Sequence, residues 1–378
     1  MLNLCPGPTH ISQAVLKAYG QAKTNPDIDH KYTQYQRQVE NQISQLLHTK
    51  AVSFFMVGEA LLALEAAVNS IIQPGDRVLV ISNGVYGQGF QDFVNFVQAE
   101  VVLYESDWRR GINLNDLKAF LENDHDFQVA TFVHCETPTG ITNDIHGIGQ
   151  ILNSYNILSI VDSVSAIGGE YINFDQAKVD VLLGGSQKCF SAPVGLASVT
   201  LSKRAIEHME NRHSPIPSFY ANFQSYLSFD DPHFDFPYTM NEQAIYAMDV
   251  AIQQAIDSDF ANKHQKWAEA TRQLFKEAGL ELYAKDHASN TLTSVLLPES
   301  VSSLDVMKLV RNEGILITKG DGPQGERLLR IAHMGSNMEV KYFQKMYHAL
   351  DKAFHHLNIE YQGELEEKFM LSDIAKNY

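Results

Sequence analysis

Short apolar runs mark the chain between about residues 50 and 200. Each run has three to five residues and is apolar at nearly every position; the runs are residues 78–81, 101–104, 129–133, 158–161 and 181–183. This pattern is typical of parallel strands, which are buried on both faces of their sheet. Segments between the runs, such as residues 115–121, carry apolar side chains at helical spacing. The alternation predicts an α/β domain with a parallel sheet.

Two long helices are predicted after an irregular stretch that begins at residue 201. The first covers residues 246–256, and the second follows an amphipathic pattern that we expect to end at Gly279. We expect Ser258 to cap the second helix. The predicted inner face of that helix consists of Phe260, His264, Trp267, Leu274 and Phe275.

The rest of the chain, to about residue 355, mixes strand and helix patterns. Strands are predicted at residues 294–297 and 328–331, and a helix is predicted at residues 304–312. This mixture predicts a smaller α+β domain. The last twenty or so residues include the charged stretch 364–368, which indicates a surface helix or tail.

The charge and the cysteines narrow the possible partners and location. The 378 residues include 29 Lys plus Arg and 45 Asp plus Glu, which gives a net charge of −16. We therefore expect neither nucleic acid nor an anionic membrane as a partner. Cys5, Cys135 and Cys189 show no spacing typical of a metal site or a disulfide framework, which favours a reducing compartment. Because neither a signal peptide nor an apolar run of ~18 residues is found, we expect a cytoplasmic protein.

Two charged residues follow predicted strands. Asp162 comes directly after the run 158–161, and Lys188 comes after the Gly-Gly-Ser-Gln stretch that follows the run 181–183. Ligands of parallel sheets bind beyond the carboxyl ends of the strands. A buried lysine can lose its proton and attack an aldehyde. A buried aspartate needs a cation, and a protonated pyridine nitrogen is one.

Two further groups could bind the anionic parts of a ligand that carries an aldehyde and a pyridine ring. The turn Gly58-Glu59-Ala60 leads into a predicted helix at residues 61–72, whose N-terminal N–H groups and dipole favour a phosphate. Arg330 offers a planar guanidinium that binds a carboxylate through two hydrogen bonds. Together the four groups indicate pyridoxal phosphate chemistry on an amino acid.

The residues that carry these groups resemble the class V aminotransferases, a family of fold-type I pyridoxal phosphate enzymes. The resemblance covers most of the chain and runs in order through PGPT (6–9), ALEAA (63–67), NGVYG (83–87), ETPTG (136–140), VDSV (161–164), GSQK (185–188) and RIAHMG (330–335). The chain is most similar to the alanine/glyoxylate and serine/pyruvate branch. The resemblance implies a large α/β domain with a mostly parallel seven-stranded sheet at residues 14–256. It also implies a smaller α+β domain formed by residues 1–13 and 257–378.

The resemblance also implies a role for each matching residue. Lys188 would be the catalytic Schiff-base lysine, and Asp162 would pair with the pyridine nitrogen. Arg330 and Pro8 would bind the substrate, with Arg330 on its carboxylate. The implied cofactor-binding residues are Gly58, Glu59, Ala60, Tyr86, Thr137, Asp162, Val164, Gln187, Lys188 and Thr239. Among these, Tyr86 and Val164 would contact the two ring faces, and Gln187 would reach the phosphate.

Thr239 matches a position from which the family sends a hydroxyl group across a dimer interface to the partner's phosphate. The family is typically homodimeric, so the resemblance implies a homodimer with active sites at the interface. The partners expected from this reading are a small amino acid, a keto acid and a second copy of the chain.

The phosphate turn departs from the family pattern. Many relatives have Ser-Gly-Thr or Ser-Gly-His where this chain has Glu59-Ala60-Leu61. We expect the Glu59 carboxylate to turn away from the phosphate and to be stabilised by the helix N-terminus. The phosphate would then be bound by backbone N–H groups, Gln187 and Thr239. Phe236 replaces a phosphate-binding tyrosine, and Pro138 replaces a serine, of some relatives.

The sequence favours an aminotransferase that moves an amino group from alanine or serine to glyoxylate or pyruvate. One alternative is 2-aminoethylphosphonate/pyruvate transamination, in which Arg330 would hold the phosphonate. Another is a catalytically silent binding subunit, which only the altered phosphate turn favours. Cysteine desulfuration is disfavoured because residues 315–330 lack the loop cysteine that this activity would require.

Other polar residues near the predicted strand ends have a structural interpretation. We expect His134 and His333 to be structural histidines, because the lysine amine itself moves the proton in this chemistry. Glu136 is expected to contact residues of the site rather than the ligand itself. Cys135 and Cys189 are expected to be small buried residues.

Overall fold

The computed structural model describes residues 1–227 and 239–377. The strands are β1 (Leu2–Asn3), β2 (Val52–Val57), β3 (Arg77–Ser82), β4 (Glu100–Glu105), β5 (Val129–Val133), β6 (Cys135–Glu136), β7 (Ile141–Thr142), β8 (Leu158–Asp162), β9 (Val181–Gly185), β10 (Leu196–Leu201), β11 (Glu281–Leu282), β12 (Thr293–Leu296), β13 (Ile315–Leu316), β14 (Thr318–Lys319) and β15 (Leu328–Ile331). The helices are α1 (Gln13–Tyr19), α2 (His30–Leu46), α3 (Ala60–Ile71), α4 (Val85–Phe96), α5 (Leu114–Asn123), α6 (Ile145–Ser154), α7 (Phe174–Ala177), α8 (Lys203–Glu210), α9 (Gln224–Leu227), α10 (Glu242–Asp257), α11 (Phe260–Glu277), α12 (Ser303–Asn312), α13 (Val340–His356), α14 (Leu365–Leu371) and α15 (Asp373–Asn377).

The largest sheet has, among the described residues, seven strands in the order β2-β10-β9-β8-β5-β3-β4. The strands from β9 to β4 are parallel, whereas β10 is antiparallel to both β2 and β9. All five strands predicted from apolar runs are confirmed, and they form the parallel part. The runs did not reveal β2 and β10; in β10, Ser198 and Thr200 interrupt the apolar sequence. The predicted α/β fold with a mostly parallel seven-stranded sheet is confirmed.

Alternate residues of the central strands contact different helix layers. Leu79 and Ile81 belong to a core shared with α2, α5, α6 and α10, whereas Val78 and Val80 belong to a core shared with α3 and α4. The strands β3, β5, β8 and β9 are therefore buried on both faces, whereas the edge strand β4 is partly exposed, and its predicted full burial is wrong. This two-sided burial explains why the strands are apolar at nearly every position.

The described residues also form a four-stranded antiparallel sheet with the strand order β11-β12-β15-β14. Its core contains Trp267 of α11 and Phe343 of α13. The N-terminal strand β1 pairs in parallel with β13, and Leu2 lies opposite Ile315. The N-terminal segment thus adds to the C-terminal part of the fold. The boundaries at residues 1–13, 14–256 and 257–378 stay a prediction.

The junction between α10 and α11 differs from the expected cap. Ser258 ends α10, because its N–H donates to the carbonyl of Gln254. Asp259, in the left-handed region with φ 45°, reverses the chain before α11 begins at Phe260. The prediction that Ser258 caps the second helix is therefore wrong: only two residues separate the helices, and Ser258 is used to close the first.

The charged C-terminal segment is more than a surface tail. Leu365 and Phe369 of α14 and Ile374 of α15 are buried in the core that contains Trp267. Charged residues such as Glu367 lie on the opposite, exposed side. Within the described ranges, no helix combines the length and apolar character that a membrane crossing requires.

Candidate active site

A cavity of about 290 Å³ lies beyond the carboxyl ends of β8 and β9. It is lined by Gly7, Pro8, Glu59, Ala60, Leu61, Leu64, Tyr86, Cys135, Thr137, Asp162, Val164, Ser165, Gln187, Lys188 and Val194. This set contains most of the residues to which the sequence assigned a cofactor or substrate role. Of the predicted residues, Gly58, Arg330 and Thr239 do not line the cavity. The cavity is the candidate active site.

Asp162 is the last residue of β8, and its side chain is buried. Its Oδ1 accepts the backbone N–H of Val164 at 2.9 Å. Burial raises the pKa of Asp162 to about 6, because the Val164 N–H and, next, the charge of Lys188 offset only part of the cost of removing the carboxylate from water. A cation bound beside Asp162 would reduce that cost. A protonated pyridine nitrogen is such a cation.

Lys188 lies three residues beyond the end of β9, against the N-terminal segment. Its Nζ donates to the carbonyl oxygen of Pro6 at 3.0 Å. Gly7 has φ 120°, and a Cβ there would lie 2.4 Å from Cδ of Lys188, so only glycine lets the segment pass this close. Burial, and next the charge of Arg330, lower the pKa of Lys188. The lowered pKa favours the neutral amine that attacks a carbonyl carbon.

Arg330 lies on β15, beside the cavity and behind Thr137. Its Nε donates to the carbonyl of Lys319 at 2.7 Å, and its Nη1 donates to the carbonyl of Thr137 at 3.0 Å. These two bonds fix the plane of a guanidinium that is largely buried. The charge of Arg330 is close enough to contribute to the lowered pKa of Lys188, and it offsets part of the effect of burial, which raises the pKa of Tyr86. A guanidinium held in this way can bind a carboxylate through its remaining N–H groups, and the role of Arg330 toward a substrate carboxylate stays a prediction.

The first turn of α3 borders the cavity through Glu59 and Ala60. Glu59 is the N-cap, and its Oε1 accepts the backbone N–H of Leu61 at 3.0 Å. The helix N-terminus thus stabilises this carboxylate, as expected, whereas its orientation relative to a bound phosphate stays a prediction. Gly58 does not line the cavity, and its N–H donates to the carbonyl of Gly195 at 3.0 Å.

Gln187 lies beside the same turn. A Cβ on Gly185 would lie 2.9 Å from Oε1 of Gln187 and 3.2 Å from Cβ of Ala60, so the two side chains converge over this glycine. The Gln187 side chain is buried, and its Oε1 has no hydrogen-bond partner among the described residues. A buried polar group of this kind is typical of a ligand site.

Glu136 and Ser165 have clearer roles in the structure than the sequence gave them. Glu136 is fully buried and accepts the backbone N–H groups of Tyr86 and Gly87, at 3.2 and 2.6 Å. Ser165 lines the cavity, and its hydroxyl is hydrogen-bonded to that of Thr137. Ser165 follows Val164 on the loop after β8, a signal that could have identified it. The apolar wall residues Leu64 and Val194 carry no comparable signal.

The histidines and cysteines match their structural interpretation in their contacts. His134 and His333 are buried beside the hydroxyl groups of Ser163 and Thr293, and neither lines the cavity. Burial lowers the pKa of His134 to about 3. Cys135 lines the cavity, but its thiol donates to the hydroxyl of Ser289, and burial raises its pKa to about 12. Such a thiol is a poor nucleophile.

Thr239 is exposed and lies apart from the cavity of its own chain. Its hydroxyl donates to Oδ2 of Asp27 at 2.8 Å. The predicted contact with a partner's phosphate stays a prediction. Phe236, expected in place of a phosphate-binding tyrosine, lies outside the described residues.

Comparison with known families agrees with this geometry. The model of the family described as Aminotransferase class-V matches residues 2–338. The chain belongs to the class V aminotransferases. An uncharacterized aminotransferase of Methanocaldococcus jannaschii is 32% identical to this class V aminotransferase over 342 residues, which cover 88% of each chain. The alanine–glyoxylate aminotransferase of Oryctolagus cuniculus is 29% identical, and the match covers 94% of this chain and 93% of that protein.

A solved structure supports the same assignment. The pyridoxamine–pyruvate aminotransferase from Mesorhizobium loti matches with a TM-score of 0.92 and 25% identity, covering 100% of this chain and 97% of the other. The predicted family, fold and aminotransferase activity of the enzyme are confirmed.

Class V aminotransferases depend on pyridoxal phosphate, which confirms the predicted cofactor. The ring end of the cavity fits this group, because the buried Asp162 carboxylate lacks only a cation and Lys188 supplies the amine. Tyr86 and Val164 line the cavity, and the resemblance assigns the phosphate to Gln187 and to the α3 N-terminus, where the Glu59 carboxylate already accepts an N–H. The role of each residue toward the cofactor stays a prediction.

Proposed function

We propose that this class V aminotransferase moves an amino group from a small L-amino acid, alanine or serine, to glyoxylate or pyruvate. The observation that carries the proposal is that Lys188, an amine of lowered pKa, and the buried Asp162 line one cavity, beside which Arg330 is bonded to the carbonyl of the lining residue Thr137. The similarity to an alanine–glyoxylate aminotransferase supports the choice of donor and acceptor.

Each of these residues has a chemical task. Pyridoxal phosphate, when bound, supplies an electron-withdrawing ring that stabilises negative charge at the donor's α-carbon. Asp162 keeps the ring nitrogen protonated, because its buried carboxylate is stabilised by a cation. Burial, and next the charge of Arg330, lower the pKa of Lys188, which favours the neutral amine that can take the α-proton of the donor. Arg330 binds the α-carboxylate of the donor and later that of the acceptor.

We also infer that the active form is a homodimer in which Thr239 of one protomer serves the active site of the other. The exposure of Thr239, and its absence from the lining of its own cavity, support this inference. Its bond to Asp27 keeps the hydroxyl in one place on the surface. The cytoplasmic location expected from the cysteines stays a prediction.

The visible absorbance of the protein loaded with pyridoxal phosphate tests the main proposal. L-alanine, L-serine and 2-aminoethylphosphonate are added separately, and the keto or aldehyde product is quantified. A loss of the cofactor's visible band with alanine or serine, and formation of the matching keto acid, is expected. A response to 2-aminoethylphosphonate alone would favour the phosphonate alternative. No response to any donor would contradict the proposal.

A second candidate function uses free pyridoxamine as the amino donor and pyruvate as the acceptor. The amine of pyridoxamine is exchanged for the keto oxygen of pyruvate, which yields pyridoxal and alanine with no further reactant. The Glu59 carboxylate at the phosphate turn favours it, because pyridoxamine carries a neutral hydroxymethyl group in place of the phosphate. The similarity to a pyridoxamine–pyruvate aminotransferase supports it. Cofactor-free protein should form alanine from pyridoxamine and pyruvate; absence of alanine would reject this candidate.

A further inference from the structure

The N-terminus of α3 already holds an anion that belongs to the chain. We propose that Glu59 makes this end of the cavity select a neutral hydroxymethyl group over a phosphate, so that unphosphorylated pyridoxamine and pyridoxal bind at least as well as their phosphorylated forms. The inference rests on the proposed function in one respect only, namely that the cavity binds a pyridoxal-type ring beside Asp162.

The first argument is that the backbone N–H of Leu61, one of the donors that a phosphate at the start of α3 would use, is occupied. Helix α3 has twelve residues, and its dipole and free N–H groups favour one anion at its start. The Glu59 carboxylate takes this position by accepting the N–H of Leu61 at 3.0 Å. Glu59 is covalently part of the same chain as the helix, so its carboxylate has a very high local concentration at the helix N-terminus. An incoming phosphate has to displace this carboxylate.

The second argument concerns hydrogen-bond donors and acceptors. The Oε1 atom of Gln187 faces the Ala60 side chain over Gly185 and has no partner among the described residues. A fully ionised phosphate offers acceptors only, whereas a hydroxymethyl group donates a hydrogen bond. The Gln187 amide can turn and present its Nε2, so it can serve either group. An ionised Glu59 can only accept.

The third argument is electrostatic. The negative charge of Glu59 is close enough to raise the pKa of Asp162, so the two carboxylates already repel each other within the site. A phosphate would bring up to two more negative charges beside Glu59. A hydroxymethyl group adds none, and the hydrogen bond that it donates to a carboxylate is of the stronger, charge-assisted kind.

The test compares pyridoxamine with pyridoxamine 5′-phosphate, which differ only by the phosphate and form no covalent bond with Lys188. Dissociation constants are measured by equilibrium dialysis on the cofactor-free full chain, for the unmodified protein and for Glu59→Gln, Glu59→Ala and Glu65→Gln. Glu65 is an exposed carboxylate on the same helix, so its variant is a control with the same change in charge. Circular dichroism verifies that each variant is folded.

The unmodified protein is expected to bind pyridoxamine as tightly as the phosphate ester or more tightly. Glu59→Gln should improve binding of the phosphate ester by about tenfold and change that of pyridoxamine by less than about threefold, while Glu65→Gln changes neither. A strong preference of the unmodified protein for the phosphate ester, left unchanged in both Glu59 variants, would overturn the inference, as would failure to bind either compound. Because binding is the readout, a failure of amino transfer would refute the proposed function without affecting this result.

Discussion

The Glu136 carboxylate accepts the backbone N–H of Gly87 at 2.6 Å and so caps α4 from a different segment of the chain. The residue before α4 is Gly84, which has no side chain to cap the helix. A Cβ on Gly84 would lie 2.4 Å from Cδ of Glu136, so the missing side chain makes room for the carboxylate. Since Glu136 also accepts the N–H of Tyr86, it fixes the backbone from which Tyr86 borders the cavity.

Glu136→Gln should lower kcat/KM by about tenfold at pH 8, because an amide offers one acceptor where the carboxylate offers two. Burial raises the pKa of Glu136 to about 7, so the unmodified enzyme itself loses the ionised form as the pH falls below about 7. The difference between variant and unmodified enzyme should therefore shrink below pH 6. Rates measured from pH 5.5 to 8.5 check this. Glu170→Gln is the control, since Glu170 accepts the Asn290 N–H outside the cavity; parallel profiles for Glu136→Gln and the unmodified enzyme would contradict the role.

Lys188→Ala should reduce amino transfer by at least about a thousandfold without unfolding the chain, because it removes the amine that attacks the cofactor and moves the proton. Steady-state rates and a thermal melt measure the two effects. Lys203→Ala removes a lysine that is 89% exposed and should leave the rate unchanged. Retained activity of the Lys188 variant would show that the assignment of the catalytic lysine is wrong.

Asp162→Asn should stabilise the cofactor-free protein at pH 8. The folded-state pKa of about 6 exceeds the ordinary value of 3.8, so the folded chain holds the proton more tightly and its stability falls as the pH rises between these values. The full penalty, about 3 kcal/mol, is present above pH 6 and absent below about pH 4. Urea unfolding at pH 4 and pH 8 measures the difference in the free energy of unfolding between the variant and the unmodified protein. The histidines contribute equally to both proteins, so their contributions cancel in this difference. An equal or lower stability of the variant at pH 8 would contradict the argument.

Arg330→Gln should raise KM for pyruvate or glyoxylate by about tenfold to a hundredfold and lower kcat less, because the guanidinium binds the carboxylate of the acceptor. The KM of Arg330→Lys should lie between the KM of the unmodified enzyme and that of Arg330→Gln, since lysine keeps the charge but lacks the planar guanidinium. Steady-state kinetics with both acceptors give the two constants separately. A fall in kcat with an unchanged KM would indicate that Arg330 acts only through its bonds to Lys319 and Thr137.

Thr239→Ala should weaken binding of pyridoxal phosphate by about tenfold if Thr239 reaches the partner's site. The control is Asp27→Asn, which alters the carboxylate that accepts from Thr239 in the same chain but keeps the hydroxyl. Equilibrium dialysis measures the affinity, and sedimentation velocity measures the oligomeric state. Equal affinities for Thr239→Ala and the unmodified protein, or a monomer in solution, would refute the shared site.

Several residues of this site come shortly after strands that the sequence predicts. Asp162 and Lys188 come after apolar runs, and the parallel arrangement brings such ends to one edge of the sheet. The capping role assigned to Ser258 failed because a local pattern of cap residues does not show which of two adjacent helices uses them. The supporting part played by Glu136 was expected only in general terms, since its partners lie 49 and 50 residues away.

The sequence by itself determined the α/β core and the two central charged residues, because burial on both faces of a parallel sheet leaves a local, continuous apolar pattern. Only the tertiary structure decided how the site is held. The carbonyl of Thr137, 193 residues away in sequence, orients Arg330, and the Pro6 carbonyl, 182 residues away, holds Lys188. Every residue has a backbone carbonyl, so residue type does not predict which carbonyl will accept a hydrogen bond from a given side chain. Their pairing depends on how the two sheets and the N-terminal segment pack together.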